Sequence, residues 1–522
     1  MFNKKDKLIS MILASAMMAP VLCACSTDVT ESVETSLPSV SATPIPTTET
    51  TMETTETTKE TTEETTPAET FETAADTNEL NTDYVRLVDG VEPEMMNADY
   101  WIGEDDNIIL MTDEEIAAYN HENRGNILSA DEETQMPHLD EFEETLDGDI
   151  LRTFLNDNAN SVPGNPRSYY LDGTPTASIY WENLVDLSNI DQVPDVIEVR
   201  YGYTVKRMTL RMFPTEDRIF KDPDDKYFDA LLYSECMPYM PCVVLHESSD
   251  GEYYYVVFDS YSAWVRKDAV ALCEDKEDWL ARQNSDQWLV VTGREIRFGT
   301  DPHCEAVSDL VLPMGTQMEL VSAEDAPEVI NQRTTYGDYV VKVPTRGDDG
   351  YIKDEYVLIP MSDDVHVGFL PYTPANIVRQ AFKLLGDRYG WGGDLEANDC
   401  TGITREVYRC FGILLPRVKQ SASTGVYSVD VSDMSDEDKL YEIGQLTPGS
   451  LIAFPGHMMI YLGMVDGVPY VISAVGTFVA PAPGSDEQIH PDSVIVNSLY
   501  VRRASLKTWL ESATVILTIK PD

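Results

Sequence analysis

Apolar residues along this chain change their period from one stretch to the next, and each change marks a different kind of segment. Leu8 to Leu22 is an almost unbroken apolar run. From Ser26 to about Leu80 apolar residues nearly vanish among Thr, Glu, Ser and Pro. Helical spacing then begins. Thr112-Asp113-Glu114-Glu115 reads as a helix start, with Thr112 as cap and Glu115 three residues on. Asp140 to Asn156 reads as a second helix, placing Phe142, Leu146, Ile150 and Phe154 on one face. From about Val193 the period drops to two. Tyr203–Lys206, Cys242–Leu245, Tyr253–Phe258 and Ala263–Val265 are strand-like and separated by turns rich in Asp, Gly and Ser. A second strand set spans about Trp288 to Ile359, with Trp288–Val291, Tyr339–Val343 and Gly350–Ile352.

The last block mixes both periods. Asn376 to Leu385 is an amphipathic helix preceded by Thr373-Pro374, and Thr401 to Phe411 is a helix closed by Gly412. Leu451–Phe454, Met458–Leu462 and Tyr470–Ser473 are strand-like. The pattern thus predicts a multidomain chain: 1–25 a leader, 26–84 a linker, 85–191 a mixed stabilising region, 192–275 and 284–361 two small all-β units, and 372–522 an α/β domain.

Composition changes this picture at the N-terminus. Lys4, Lys5 and Lys7 precede the apolar run, which is the right length for a signal peptide and short for a membrane span. Its end, Leu22-Cys23-Ala24-Cys25-Ser26, resembles a bacterial lipobox, which makes Cys25 the expected lipid acceptor. The expectation is an extracytoplasmic protein tethered to the outer face of the membrane. The Thr/Glu-rich tract is too polar to build a core. As a coil of ~55 residues it would reach roughly 40 Å and serve as a stalk. The formal charge of −54 excludes nucleic acid as a natural partner. Of the later cysteines, Cys236 and Cys242 could pair or stand as buried thiols, and the second is preferred. No C-x-x-C pair and no H-E-x-x-H motif occurs, so no metal or other cofactor is expected.

Candidate chemistry concentrates in Tyr389-Gly390-Trp391-Gly392-Gly393 and Asn398-Asp399-Cys400-Thr401-Gly402. Cys400 stands at a predicted helix N-terminus, where the macrodipole favours a thiolate. A thiol nucleophile needs a proton acceptor. Pro455-Gly456-His457 opens a predicted strand, and His457 can reach Cys400 through tertiary structure. His490 is expected to face solvent and His366 to lie in a linker.

These segments, with Phe411-Gly412-Ile413, Leu415-Pro416-Arg417 and Gly449–Phe454, resemble the successive motifs of the NlpC-type cell-wall cysteine peptidases. Ala263-Trp264-Val265 followed by Val270-Ala271 resembles the closing strand of the bacterial SH3-like domains that precede this domain in some members. The resemblance implies a papain-like α/β fold behind two SH3-like barrels. It also implies cleavage of peptidoglycan stem peptides or muropeptides, at the γ-D-glutamyl-diamino acid bond. Cys400 would be the nucleophile and His457 the base. Tyr389, Trp391, Asp399 and Thr401 would contact substrate, with the Cys400 N–H and the Tyr389 hydroxyl on the oxyanion. Relatives often carry His as a third polar residue; here Val471-Ile472-Ser473-Ala474 puts Ser473 in that place. Relatives also have short polar residues after the arginine, where this chain has Val418-Lys419. The neutral Ser473 supports one rival reading, a catalytically weak wall-binding lipoprotein acting through its SH3-like domains.

Overall fold

The computed structural model describes residues 82–125, 136–259, 261–285, 287–417, 426–481 and 484–520. The apolar leader, Cys25, nearly all of the linker, and Val418-Lys419 lie outside them. Thr82–Tyr84 is a single 3-10 turn. From Arg86 onward the described chain clusters as one unit.

Its C-terminal part is built on a six-stranded antiparallel sheet. The strand order is Val426–Asp430, Val515–Ile519, Leu451–Phe454, His457–Val465, Val468–Val475, Ser493–Ser498. Side chains alternate across a strand, so each strand feeds two cores. Leu451, Ile460, Ile472 and Leu517 face the helices Pro374–Lys383 and Cys400–Arg409, meeting Ile377, Ala381, Ile403 and Val407. Their sequence neighbours Ile452, Met459, Val471 and Ile516 face the other way, onto Ile443, Trp509 and Leu510. The first helix starts as expected, with Thr373 accepting the Asn376 N–H at 3.1 Å. Its partner runs from Cys400 to Arg409, and Gly412 turns the chain away at φ +76°.

The two strand-rich regions form open sheets. The first has seven strands, in the order Val270–Leu272, Arg200–Thr204, Pro241–Glu247, Tyr253–Val257, Ser262–Arg266, Met208–Arg211, Leu232–Cys236. The second has five: Ile352–Pro360, Asp338–Arg346, Gln317–Leu320, Trp288–Val291, Val365–Val367. They touch where the Leu272 N–H donates to Gly350 O at 2.9 Å. Among the described residues all six later cysteines are free thiols, and Cys236 and Cys242 are buried.

Two expectations need correction. The single helix expected over 140–156 is a strand, Thr145–Asp147, followed by a helix, Gly148–Asn160. The strand exists because Leu146 pairs with Ile197 in a distant segment. Phe142, Leu146, Ile150 and Phe154 still share one core. His366 lies in no linker but in a strand, opposite Val290. Within the region read as 85–191, apolar groups pack on more than one core. Val91, Met95, Trp101, Met111, Ile116 and Tyr119 join the C-terminal core. Leu139 to Leu155 joins the first sheet. The helix start at Thr112 forms as read, its amide on Glu115 Oε2 at 2.8 Å.

Candidate active site

The loop before Cys400 is folded back on itself. Tyr389 bridges Asn398, and the Gly390 N–H donates to Asn398 O at 3.0 Å. Between them Gly392 and Gly393 take φ of +58° and +87°, a region that favours glycine. Glycine is also needed for space. A Cβ on Gly392 would stand 3.1 Å from Leu232 Cγ, and one on Gly393 only 2.2 Å from Glu235 Cδ. Both neighbours belong to the last strand of the first sheet, so that sheet packs directly on the loop.

Asp399 organises the helix start. It accepts the Gly402 N–H at 2.9 Å as N-cap and the Gly392 N–H at 2.9 Å. It also accepts the Thr401 hydroxyl at 3.1 Å, and Arg417 clamps both carboxylate oxygens. Burial pushes this carboxyl up, but Arg417 and the two amides outweigh it and hold it below the usual range. Asp399 is thus engaged within the loop and helix through both carboxylate oxygens. The Thr401 hydroxyl likewise faces Asp399 and Arg417.

Cys400 is half-buried at the first turn of its helix, where the leading N–H groups have no intrahelical acceptor. Burial and the neighbouring Asp399 carboxylate push its thiol up to about 12. Arg417 and the N–H groups of Met458 and Thr401 pull the other way. The Met458 amide sets the sulfur against the start of the strand that His457 opens. A second contact ties the same two elements, since the Thr404 hydroxyl reaches Met458 Sδ at 3.6 Å.

His457 bonds Ser473 Oγ through Nε2 at 3.1 Å. Sheet register explains the meeting. Ile460 stands opposite Ile472, which places His457 and Ser473 on one face, a diagonal apart. Ser473 is fully buried, and the imidazole packs on Trp509 and Phe454 at 4.7 and 5.3 Å between ring centroids. Burial and the nearby Arg503 drive the imidazole down to about 3, so it is a neutral acceptor at ordinary pH. Nε2 is thus taken up by the serine, and Nδ1 is the remaining ring nitrogen.

The structure thus brings Tyr389, Trp391, Asp399, Cys400 and Thr401 into one loop-helix segment and joins His457 to Ser473. Tyr389 is buried and Trp391 half-buried, both beside Phe228 at 6.0 and 5.8 Å. His490 is exposed, as expected. Sequence reasoning missed Phe228, Arg503 and Trp509, which reach the site only through folding. Phe454 and Arg417 stood inside recognised motifs without being assigned a task.

Comparison with known proteins agrees with this architecture. No curated protein matches the chain. Residues 386–511 match the NlpC/P60 family, and residues 218–266 match the SH3 domain of the SH3b1 type. A solved NlpC/P60 endopeptidase from Photobacterium damselae subsp. piscicida superposes with a TM-score of 0.62 at 15% identity, covering 82% of this chain and 98% of that one. An NlpC/P60 family protein from Bacillus cereus ATCC 10987 covers 62% of this chain and 100% of its own, at 15% identity and a TM-score of 0.40. The first of these shares the fold. Behind a β-rich SH3-like region, this chain carries a C-terminal domain of the NlpC/P60 family.

Proposed function

We propose that this chain is a cell-wall hydrolase, a cysteine endopeptidase that cuts peptidoglycan stem peptides at the γ-D-glutamyl-diamino acid bond. The observation that carries it is the hydrogen bond between His457 and Ser473, which orients a neutral imidazole on the strand whose Met458 amide reaches the Cys400 thiol. The family match supports the substrate class.

The resting pair is thiol and neutral imidazole, so the nucleophile is made on demand. His457 Nδ1 takes the Cys400 proton as Sγ bonds the amide carbonyl carbon. The oxygen, now anionic, is stabilised by the Cys400 N–H and the Tyr389 hydroxyl. Collapse breaks the C–N bond, and the imidazolium gives its proton to the leaving amine. Water then attacks the thioester, yielding a proton to His457, and the thiol is restored. Ser473 positions the imidazole throughout.

Anchoring belongs to the same reading. Cys25 carries lipid, the acidic tract spans from membrane to wall, and the SH3-like regions grip wall polymer. Two experiments test the proposal. Purified protein incubated with sacculi and muropeptides should release fragments ending in γ-D-glutamate, detected by mass spectrometry and lost in Cys400→Ala. Products cut elsewhere, or none, would overturn the assigned bond. Cys25→Ser should abolish membrane fractionation and incorporation of labelled lipid; persistence of both would sink the anchor.

A further inference from the structure

Where the first sheet packs on the helix Cys400–Arg409, one buried carboxyl has no task in the reading above. Glu406 stands on that helix and is only 3% exposed. Its Oε2 accepts an Asn398 side-chain N–H at 2.8 Å. Its Oε1 has no hydrogen-bond partner, and neither has Asn398 Oδ1. Arg207, just before the strand Met208–Arg211, pairs with Glu235 of the strand Leu232–Cys236. On the helix itself Arg405 and Arg409 pair with Asp259 at 3.3 and 3.2 Å. Arg417 is taken by Asp399. The Cys410 thiol donates to the Glu406 backbone carbonyl at 3.7 Å. Every one of these arginines has a carboxylate partner, while among the described residues Glu406 has no cation within ion-pair distance. An ionised carboxylate buried without a cation is costly, and such a group keeps its proton instead. The proton also mends the geometry: it makes Oε1 a donor in a place where two acceptor oxygens lack one.

We infer that Glu406 is a positioning residue, held as a neutral acid, through which alkaline pH loosens the seat of the Cys400 loop on the first sheet. Asn398 transmits the change. Its side chain rests on Glu406, its carbonyl accepts the Gly390 N–H at 3.0 Å, and it bridges Tyr389. Burial, and after it the neighbouring Glu235, push the Glu406 carboxyl up to about 8, against the pull of Arg207, Asn398 and Arg409. Loss of the proton sets a second carboxylate beside Glu235. Both then draw on Arg207, which also holds Glu396 O and Ala397 O just ahead of the loop's end. Stability follows the same sign. A carboxyl raised on folding contributes fully below the ordinary Glu range of about 4.3, and that contribution is lost as pH rises through the folded value.

The test uses the full protein, with Glu406→Gln as a permanently neutral form. The gap between the urea midpoints of variant and wild type should widen in the variant's favour from about pH 5 to about pH 8 and then stay level. Infrared difference spectra should show a protonated-carboxyl band in wild type at about pH 6 that is gone by about pH 10 and is missing from the variant throughout. Glu235→Gln frees Arg207 for Glu406 and should move the loss of that band lower by about one pH unit or more. Exchange of the Gly390 amide, corrected for its intrinsic rate, should be equal in wild type and Glu406→Gln at about pH 6 and about threefold or more faster in wild type at about pH 9. A constant urea gap, or no band in wild type at about pH 6, would mean an ionised Glu406 and overturn the inference. Equal exchange at both pH values would leave a neutral acid without a hold on the loop and overturn its positioning role. Should Glu406→Gln not fold, the wild-type band and its shift in Glu235→Gln decide the matter. One arm rests on the hydrolase reading: peptide kcat should fall above about pH 8 in wild type and hold in Glu406→Gln. An alkaline limb shared by both would place the titration elsewhere and overturn the inference. If no peptide is cut, the hydrolase reading fails, while urea, infrared and exchange still decide this one.

Discussion

At the scale of single residues, the site sets a neutral thiol at Cys400 and a neutral imidazole at His457, the latter packed on Phe454 and Trp509. Two pKa shifts give it an unusual pH signature. An imidazole held near 3 stays deprotonated as pH falls through the ordinary histidine range. The kcat/KM profile of the free enzyme should therefore show no acid limb between pH 6 and 7; a limb there would mean that water reaches His457. The thiol held near 12 works in the opposite direction. Iodoacetamide labelling of Cys400 should climb steadily from pH 7 to 10 without a plateau, and should stay ahead of the fully buried Cys410. A plateau below pH 7 would reveal a preformed thiolate. Ser473 accepts from His457 as a short neutral group, so its removal should cost part of the acid–base advantage. Ser473→Ala should lower kcat by ~3–30-fold, far less than His457→Ala. Ser473→His should keep or raise activity, because sheet register aims position 473 at His457. Wild-type rates in Ser473→Ala would leave a two-residue Cys400–His457 machine.

At the scale of elements, the helix Cys400–Arg409 is set by its first turn. Asp399 caps it, ties down the glycine loop and neutralises Arg417, all from one carboxylate. Asp399→Ala should destabilise the protein by about 3–5 kcal/mol, because it strands a buried guanidinium. Urea unfolding checks this, and a loss below about 1 kcal/mol would reduce the pair to a surface-type contact. The sign with pH follows from the depressed carboxyl. Its contribution is complete above the ordinary Asp range near 3.9 and is lost as pH falls through its lower folded value. Elements also explain what was legible in sequence. The helix from Cys400 and the strand from His457 could be read because capping and alternation are local signals. The strand Thr145–Asp147 could not be, because Leu146 is drawn into it by Ile197, and helical spacing alone describes its apolar residues equally well. Arg503 and Trp509 carry no local signal at all, since only the folded sheet brings them to His457.

At the scale of the molecule, the helix Cys400–Arg409 is gripped from both β regions. Arg405 and Arg409 reach Asp259, beside the hairpin of the first sheet, at 3.3 and 3.2 Å. Gly315 of the second region lies so close that a Cβ would stand 2.6 Å from Arg409 Cβ. Arg207 donates to Glu396 O and Ala397 O, just before Cys400, at 3.0 Å each. Residues 372–522 expressed alone should therefore be less stable and far less active than the whole chain, with a loosened Cys400 loop. Calorimetry and peptide kinetics decide it, and full activity in the isolated piece would make the β regions mere accessories. The segment Gly90–Asn120 adds a constraint of another kind. Tyr470 Oη donates to Gly90 O across 380 positions, and Asn120 Nδ2 to Gly412 O across 292. Contacts this distant in sequence form late, because a long loop must close before they return anything. As the chain is made, this early segment emerges long before the sheet it covers. Its apolar residues wait without a partner until the last strand, Val515–Ile519, has been added. The ribosome must thus finish nearly the whole polypeptide before this core can close, so a prematurely ended chain would leave its early apolar segment uncovered.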